Sequence, residues 1–226
     1  MTLQLSQPPA PGSPGRQRSA RRWSKRALDL VVSIICLVVL LPLLVAAAVV
    51  VQLTTEGPVL FRQRRLGLDG RPFVLYKFRT MYHGCGDEPH RRYVRQLLTS
   101  DTVTSSPGGL YKLDADDRIT RVGSLLRRTS IDELPQLLNV IRGEMSLVGP
   151  RPALPWEAEM FGDGHSGRFL VPPGMTGLWQ VSGRNRLTMR QALDLDLEYV
   201  RRQSFILDLV ILVKTVPAVF SALGVR

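Results

Sequence analysis

At 226 residues, with a net charge of +11 and a sequence pI near 10.6, the chain is long enough for one domain with a real core and is strongly basic. Its two cysteines exclude a disulfide framework, and Cys36, inside an apolar run, reads as a small hydrophobe. The charge calls for an anionic partner, which leaves nucleic acid, a membrane surface or a phosphorylated substrate to be separated.

Residues 1–22 are rich in Pro, Gly, Ser, Gln and Arg and are expected to form a disordered basic tail. Residues 27–53 follow, ALDLVVSIICLVVLLPLLVAAAVVVQL, with Asp29 as the one charge. The run is too long for a secretory signal and long enough to cross a bilayer as a helix. Pro42 near its middle removes a backbone hydrogen bond and is expected to kink or break it. Arg21, Arg22, Lys25 and Arg26 precede the run, and Arg62, Arg64 and Arg65 follow it. A spanning helix would leave one basic cluster outside, against the positive-inside tendency. A re-entrant helix that breaks at Pro42 keeps both clusters on the cytoplasmic face. From the residues alone both topologies stay open.

The next stretch, VLFRQRRLGLDGRPFVLYKFRTM, carries a β-hairpin signal, with two partly alternating runs joined through Gly67-Leu68-Asp69-Gly70. Residues 83–110 read as a loop or insertion. His83, Cys85 and His90 within it lack a further ligand at zinc spacing, so no zinc site is expected. Residues 117–128 place Ile119, Val122, Leu125 and Leu126 at helical period. The opposite side is basic, which suits either a core-facing helix or one lying on a membrane interface.

The stretch RRTSIDELPQLLNVIRGEMSLVGPRP at 127–152 sets two adjacent carboxylates, Asp132 and Glu133, between Arg127, Arg128, Arg142 and Arg151. Guanidinium groups match phosphate oxygens through a planar fork, while carboxylates can hold a metal or attack. Proline is tolerated in the first turn of a helix, so Pro135 places a helix start near Asp132, where the positive end of the helix favours ionised carboxylates. The bland alternative is that Asp132 is an N-cap and Glu133 a first-turn acid. A short apolar helix is expected at 137–141, ending near Gly143. Residues 171–186, VPPGMTGLWQVSGRNR, are expected to be irregular over most of their length, with Trp179 and Arg184 as candidate nucleotide contacts. Residues 204–224 form an apolar run carrying Asp208, Lys214 and Pro217, which reads as a packed or interfacial helix.

Taken together, these segments resemble the monotopic phosphoglycosyl transferases, a family of bacterial sugar transferases that prime glycan synthesis on undecaprenyl phosphate. The resemblance runs from about residue 25 to 214. It rests on Lys25-Arg26 with Asp29, the break at Pro42, GPV at 57–59 with Phe61, Gln63 and Arg65, and KFRTM at 77–81. It continues through DRIT at 117–120, the whole 127–152 block, PGMTGLWQV at 173–181 and Tyr199-Val200. Each piece is weak alone, but their order is specific.

The resemblance implies a mainly α fold with a short β-hairpin. It would be a monotopic membrane protein with a re-entrant helix at 23–54 and interfacial amphipathic helices, and residues 55–226 would form a catalytic domain on the cytoplasmic face of the bacterial inner membrane. It implies the minimal catalytic form of the family. Asp132 would be the nucleophile that attacks a UDP-sugar, and Glu133 the ligand for Mg²⁺. Lys77, Arg127 and Arg151 would lie at the phosphates, and Arg79, Trp179 and Arg184 are candidate nucleotide contacts. Undecaprenyl phosphate would be the acceptor, with anionic lipids at the basic flanks. Nucleic acid is not expected, since the charge comes without a nucleic-acid motif. A non-catalytic membrane adapter would share the charge and the apolar run but gives no reason for Asp132 and Glu133 among arginines.

Overall fold

The computed structural model describes residues 14–99, 116–183 and 187–224. It is mostly helical with one short antiparallel hairpin. Helix α1 spans Pro14–Thr54, so it begins inside the stretch expected as a tail. Arg, Gln, Ala and Lys are good helix formers and extend the apolar helix backwards. Residues 1–13 lie outside the described residues. α1 continues through Pro42 as one helix, where a break was expected. Among the described residues it is the one helix long and apolar enough to cross a membrane.

One face of α1 lies against the rest of the chain and the other is bare. Near its start Val32, Cys36 and Leu37 pack on the main core, which contains Leu75, Val140, Met145, Val148 and Tyr199. Near its end Ala47 and Val51 pack with Phe78 and Leu126. Val38, Val39 and Leu53 on the other side are 68%, 68% and 80% exposed. Polar groups near the start fasten the helix. Asp29, buried, accepts hydrogen bonds from Ser146 Oγ at 3.1 Å and Leu147 N at 3.0 Å. Lys25 Nζ donates to Val148 O and Asp208 Oδ2, each at 2.9 Å, and to Tyr199 Oη at 3.3 Å. The charge in the apolar run is thus paired with protein, not lipid.

The expected hairpin forms, β1 (Leu60–Leu66) against β2 (Pro72–Phe78), with Lys77 opposite Phe61. Its turn needs a left-handed residue, supplied by Asp69 at φ 54° and Gly70 at φ 70°. The amide of Asn139 completes the free edge of β2. Its Nδ2 donates to Val74 O at 2.7 Å and its Oδ1 accepts from Tyr76 N at 3.1 Å, as a neighbouring strand would.

The stretch read as a loop from 83 contains a helix, α2 (Glu88–Thr99). Val94 and Leu97 are its buried positions and join a second core with Ala153, Phe161, Trp179 and Met189. Tyr93, Val94, Leu97 and Leu98 stand at helical spacing, but the polar flanks masked it. Residues 100–115 lie outside the described residues.

Helix α3 (Arg121–Thr129) starts four residues later than the periodicity implied, because Thr120 Oγ1 accepts from Gly123 N at 2.8 Å and caps it. Its apolar residues divide: Leu126 is buried against α1 and Leu125 is 61% exposed. A Cβ on Gly123 would lie 2.0 Å from the Thr80 carbonyl oxygen. Gly123→Ala is therefore expected to cost at least about 2 kcal/mol by forcing α3 away from the strand end. Thermal unfolding in detergent would read the loss, with exposed Ser124→Ala as the unchanged control.

A 3-10 helix, Ile131–Gln136, leads into α4 (Leu137–Arg142), which ends at Gly143 in the left-handed region, as expected. Strand β3 (Ser146–Val148) then pairs in parallel with β4 (Gly174–Thr176). With α6 (Leu178–Val181), β4 supplies two short regular pieces within a segment expected to be irregular over most of its length. The backbones meet so closely that a Cβ on Gly174 would lie 2.1 Å from Gly149 N. The glycines read as breakers are there for close approach. The remaining helices are α5 (Pro155–Met160), α7 (Met189–Arg202) and α8 (Phe205–Gly224). α8 packs through Asp208 and Ile211 and exposes Ile206 and Val213.

Candidate active site

The hairpin, the 3-10 helix and the β3–β4 junction converge on one open cleft. Arg65 from β1, Lys77 from β2, Glu133 and Gln136 from the 3-10 helix, Arg151, Gly174 and Gln180 line it. Lys77 Nζ donates to Glu133 Oε1 at 2.7 Å. Of the adjacent carboxylates, Glu133 stands at the mouth with its side chain 32% exposed, and Asp132 is buried behind it at 7%. The alternation follows from the tight helix of three residues per turn, which sends neighbouring side chains in different directions. The N-cap position belongs to Ser130, at φ 57°, so Asp132 is not the cap.

Arg127 flanks the buried acid. Its Nε donates to Thr80 Oγ1 at 3.0 Å, and burial lowers its pKa, an effect opposed chiefly by the Asp132 carboxylate. The loop after β3 is clamped by charge. Arg65 Nη1 donates to Pro152 O at 3.0 Å, Glu157 Oε2 accepts from Leu154 N at 2.7 Å, and Arg168 Nη2 donates both to Arg151 O at 2.8 Å and to Asp196 Oδ2 at 2.6 Å. Burial raises the Asp196 pKa to about 6, with Arg168 opposing the shift.

Of the residues singled out in the sequence, Lys77, Glu133 and Arg151 line the cleft, with Asp132 and Arg127 beside it. Arg79 is placed elsewhere. It is buried, and its guanidinium donates to Thr55 O and Thr55 Oγ1, each at 2.7 Å, and to Pro58 O, which ties the end of α1 to β2. Trp179 packs in the second core, and its neighbour Gln180 reaches the cleft instead. Arg142 lies over the Tyr76 ring at 5.0 Å. Pro42 is within α1, and Arg184 lies outside the described residues.

Sequence reasoning missed Gln136 and Gln180 as site residues, and counted Arg65 as part of a basic flank and a motif. Gln136 and Gln180 stand beside residues already singled out, which was the available signal.

Glu133 offers a hard oxygen at the mouth of the cleft. Mg²⁺ takes one or two carboxylates together with substrate phosphates and waters, so this donor set fits it. Among the described residues no three His, Cys, Asp or Glu side chains form a metal cage. A bound Mg²⁺ would therefore depend on phosphate oxygens from the substrate.

A family model described as bacterial sugar transferase matches residues 20–222. The chain is 40% identical over 215 residues to the exopolysaccharide production protein ExoY of Sinorhizobium fredii, covering 95% of this chain and 93% of that one. It is 41% identical over 219 residues to the UDP-glucose:undecaprenyl-phosphate glucose-1-phosphate transferase of Caulobacter vibrioides, covering 93% and 74%. Over 203 residues it is 38% identical to the undecaprenyl-phosphate galactose phosphotransferase of Salmonella typhimurium, covering 89% and 41%.

Proposed function

The chain belongs to the bacterial sugar transferase family, and from that premise we propose that it moves a sugar-1-phosphate from a UDP-sugar to undecaprenyl phosphate, initiating polysaccharide synthesis. The observation that carries the reading is the cleft itself: Lys77, Arg65 and Arg151 for a diphosphate, Glu133 at the mouth and Asp132 buried beside Arg127.

The chemistry divides into two displacements at one phosphorus. An Asp132 carboxylate oxygen bonds to the β-phosphorus, the bond from that phosphorus to the bridging oxygen breaks, and UMP leaves with the electron pair. A phosphosugar–aspartyl ester remains. An oxygen of undecaprenyl phosphate then bonds to the same phosphorus and Asp132 departs as carboxylate, so neither step needs a general base. Arg127 sets a positive charge near Asp132. Lys77 holds Glu133 and can share its charge with the diphosphate, which Arg151 can contact while Arg65, tied to Gln63 and Pro152 O, adds positive charge to the cleft. Mg²⁺ held by Glu133 would supply charge neutralisation on the donor phosphates.

α1 anchors this cleft at the lipid headgroups. Lys25 and Val51 would lie about 39 Å apart along a straight helix, yet both rest on the same catalytic body. Arg26 binds Val140 O and Ile141 O near one end, and Arg79 binds Thr55 at the other. Contact at both ends supports a helix held along the cytoplasmic face, its bare apolar side sunk in lipid.

Purified protein given Mg²⁺, undecaprenyl phosphate and a panel of UDP-sugars is expected to release UMP with one of them; release with none overturns the reading. For topology, Cys36→Ala/Cys85→Ser protein carrying Ser13→Cys or Glu56→Cys is expected to be shielded from an external membrane-impermeant thiol reagent in intact cells at both positions. Labelling at one position alone would show a spanning helix.

A further inference from the structure

The backbone that carries Arg151 to the cleft is fixed on every side. Pro150 and Pro152 flank it, and a proline sets its own φ while pushing the residue before it into extended backbone. The carbonyls from 150 to 153 then each accept a hydrogen bond. Pro150 O accepts from Gly174 N at 2.8 Å, Arg151 O from Arg168 Nη2 at 2.8 Å, Pro152 O from Arg65 Nη1 at 3.0 Å, and Ala153 O from Leu66 N at 2.8 Å. All of these donors but Arg168 belong to β1 and β4, which meet at the cleft. Arg168 comes from a 3-10 helix, Asp163–Leu170, and is itself held by Asp196 of α7 at 2.6 Å.

That ion pair is poorly made for stability. Both side chains are 2% exposed, yet among the described residues Arg168 Nε, Arg168 Nη1 and Asp196 Oδ1 find no hydrogen-bond partner. The guanidinium stands over the Phe161 ring at 4.8 Å and the Phe169 ring at 5.8 Å, which compensates in part. Taking two charges out of water costs more than an incompletely bonded pair returns, and apolar side chains of similar volume would serve the fold as well or better. What apolar side chains could not supply is the N–H that holds the Arg151 carbonyl.

We propose, on the transferase reading above, that Arg168 and Asp196 are positioning residues for the donor, acting through Arg151: they fix its backbone so that its side chain is presented to the sugar diphosphate before the nucleotide sugar arrives. Arg151 lines the cleft, and a guanidinium matches phosphate oxygens only within a narrow geometry. Freedom left in its backbone would have to be given up on binding, at the expense of affinity. With its carbonyl held, that freedom is already gone in the folded protein. Asp196 serves one step further back, keeping the Arg168 side chain where its Nη2 meets both partners.

The test is titration calorimetry with Mg²⁺ on the full chain in detergent, carrying Asp132→Asn so that chemistry is blocked. UDP, UDP-glucose and UDP-galactose serve as probes. Arg168→Met/Asp196→Leu removes both charges and keeps the volume. Its unfolding temperature is expected to match or exceed that of the Asp132→Asn parent, while binding of the probes weakens about tenfold. Asp196→Asn, which loosens the hold on Arg168, is expected to give a smaller loss in the same direction, and it decides the matter if the double replacement does not fold. Arg151→Ala supplies the readout that a merely structural pair would not move. Because the pair acts through Arg151, adding the double replacement to Arg151→Ala is expected to weaken binding by less than about twofold more. Folded variants that bind like the parent, a full further loss in the Arg151→Ala background, or unfolding of both variants overturns the assignment and leaves the transferase reading intact. If none of the three nucleotides binds the parent, the two fall together.

Discussion

Asp132→Asn is expected to lower UMP release at least about a thousandfold while the protein stays in the membrane fraction. The exchange keeps the size of the side chain and its place beside Arg127, but an amide oxygen is a poor nucleophile and forms no stable acyl phosphate. The effect should appear in the first half-reaction: a single-turnover assay without undecaprenyl phosphate should yield no UMP. Glu133→Gln separates the two acids. It leaves the attacking oxygen in place and removes the anion at the mouth, so its loss should be smaller and should depend on Mg²⁺ concentration. Equal losses in the two variants, both insensitive to Mg²⁺, would overturn the division of roles.

The second large effect is structural. Asp208→Ala is expected to cost about 3–5 kcal/mol, because it leaves Lys25 with its charge buried and its main partner gone. The side chains of the pair are 12% and 2% exposed, and Tyr199 Oη donates to Asp208 Oδ1 at 2.7 Å. These contacts join α1, α7 and α8 where they meet at Val148. A domain of this size has a total stability of about 5–15 kcal/mol, so the variant should be recovered poorly and unfold at a much lower temperature. Lys25→Met/Asp208→Leu removes both charges together and is expected to recover most of the loss. Failure of that rescue would show that the ion pair, beyond its packing, is needed for the fold.

Much of this protein was legible because the signals are local. Hairpin strands announce themselves by alternation and a turn with Asp69 and Gly70, and α4 by its apolar run and Gly143. The apolar run identified the one long apolar helix among the described residues, though Pro42 did not interrupt it as expected. A proline lacks one hydrogen bond, and the bonds of the turns on either side carry the helix through. α2 was missed because two buried positions, Val94 and Leu97, make a short stripe that polar neighbours obscure.

The sequence by itself determined the chemical inventory: adjacent carboxylates just ahead of Pro135, arginines on both sides of them, and one long apolar helix. Composition and short-range spacing are enough for that, since each follows from residues within a few positions of one another. Only the tertiary structure decided which of those groups share a cleft. Arg65 and Arg151 face it, while Arg79, beside the motif lysine, is turned away to secure the end of α1. Asp132 is buried where Glu133 is open. A guanidinium can serve a phosphate or a backbone carbonyl equally well, and the choice depends on which groups long-range packing brings within its reach.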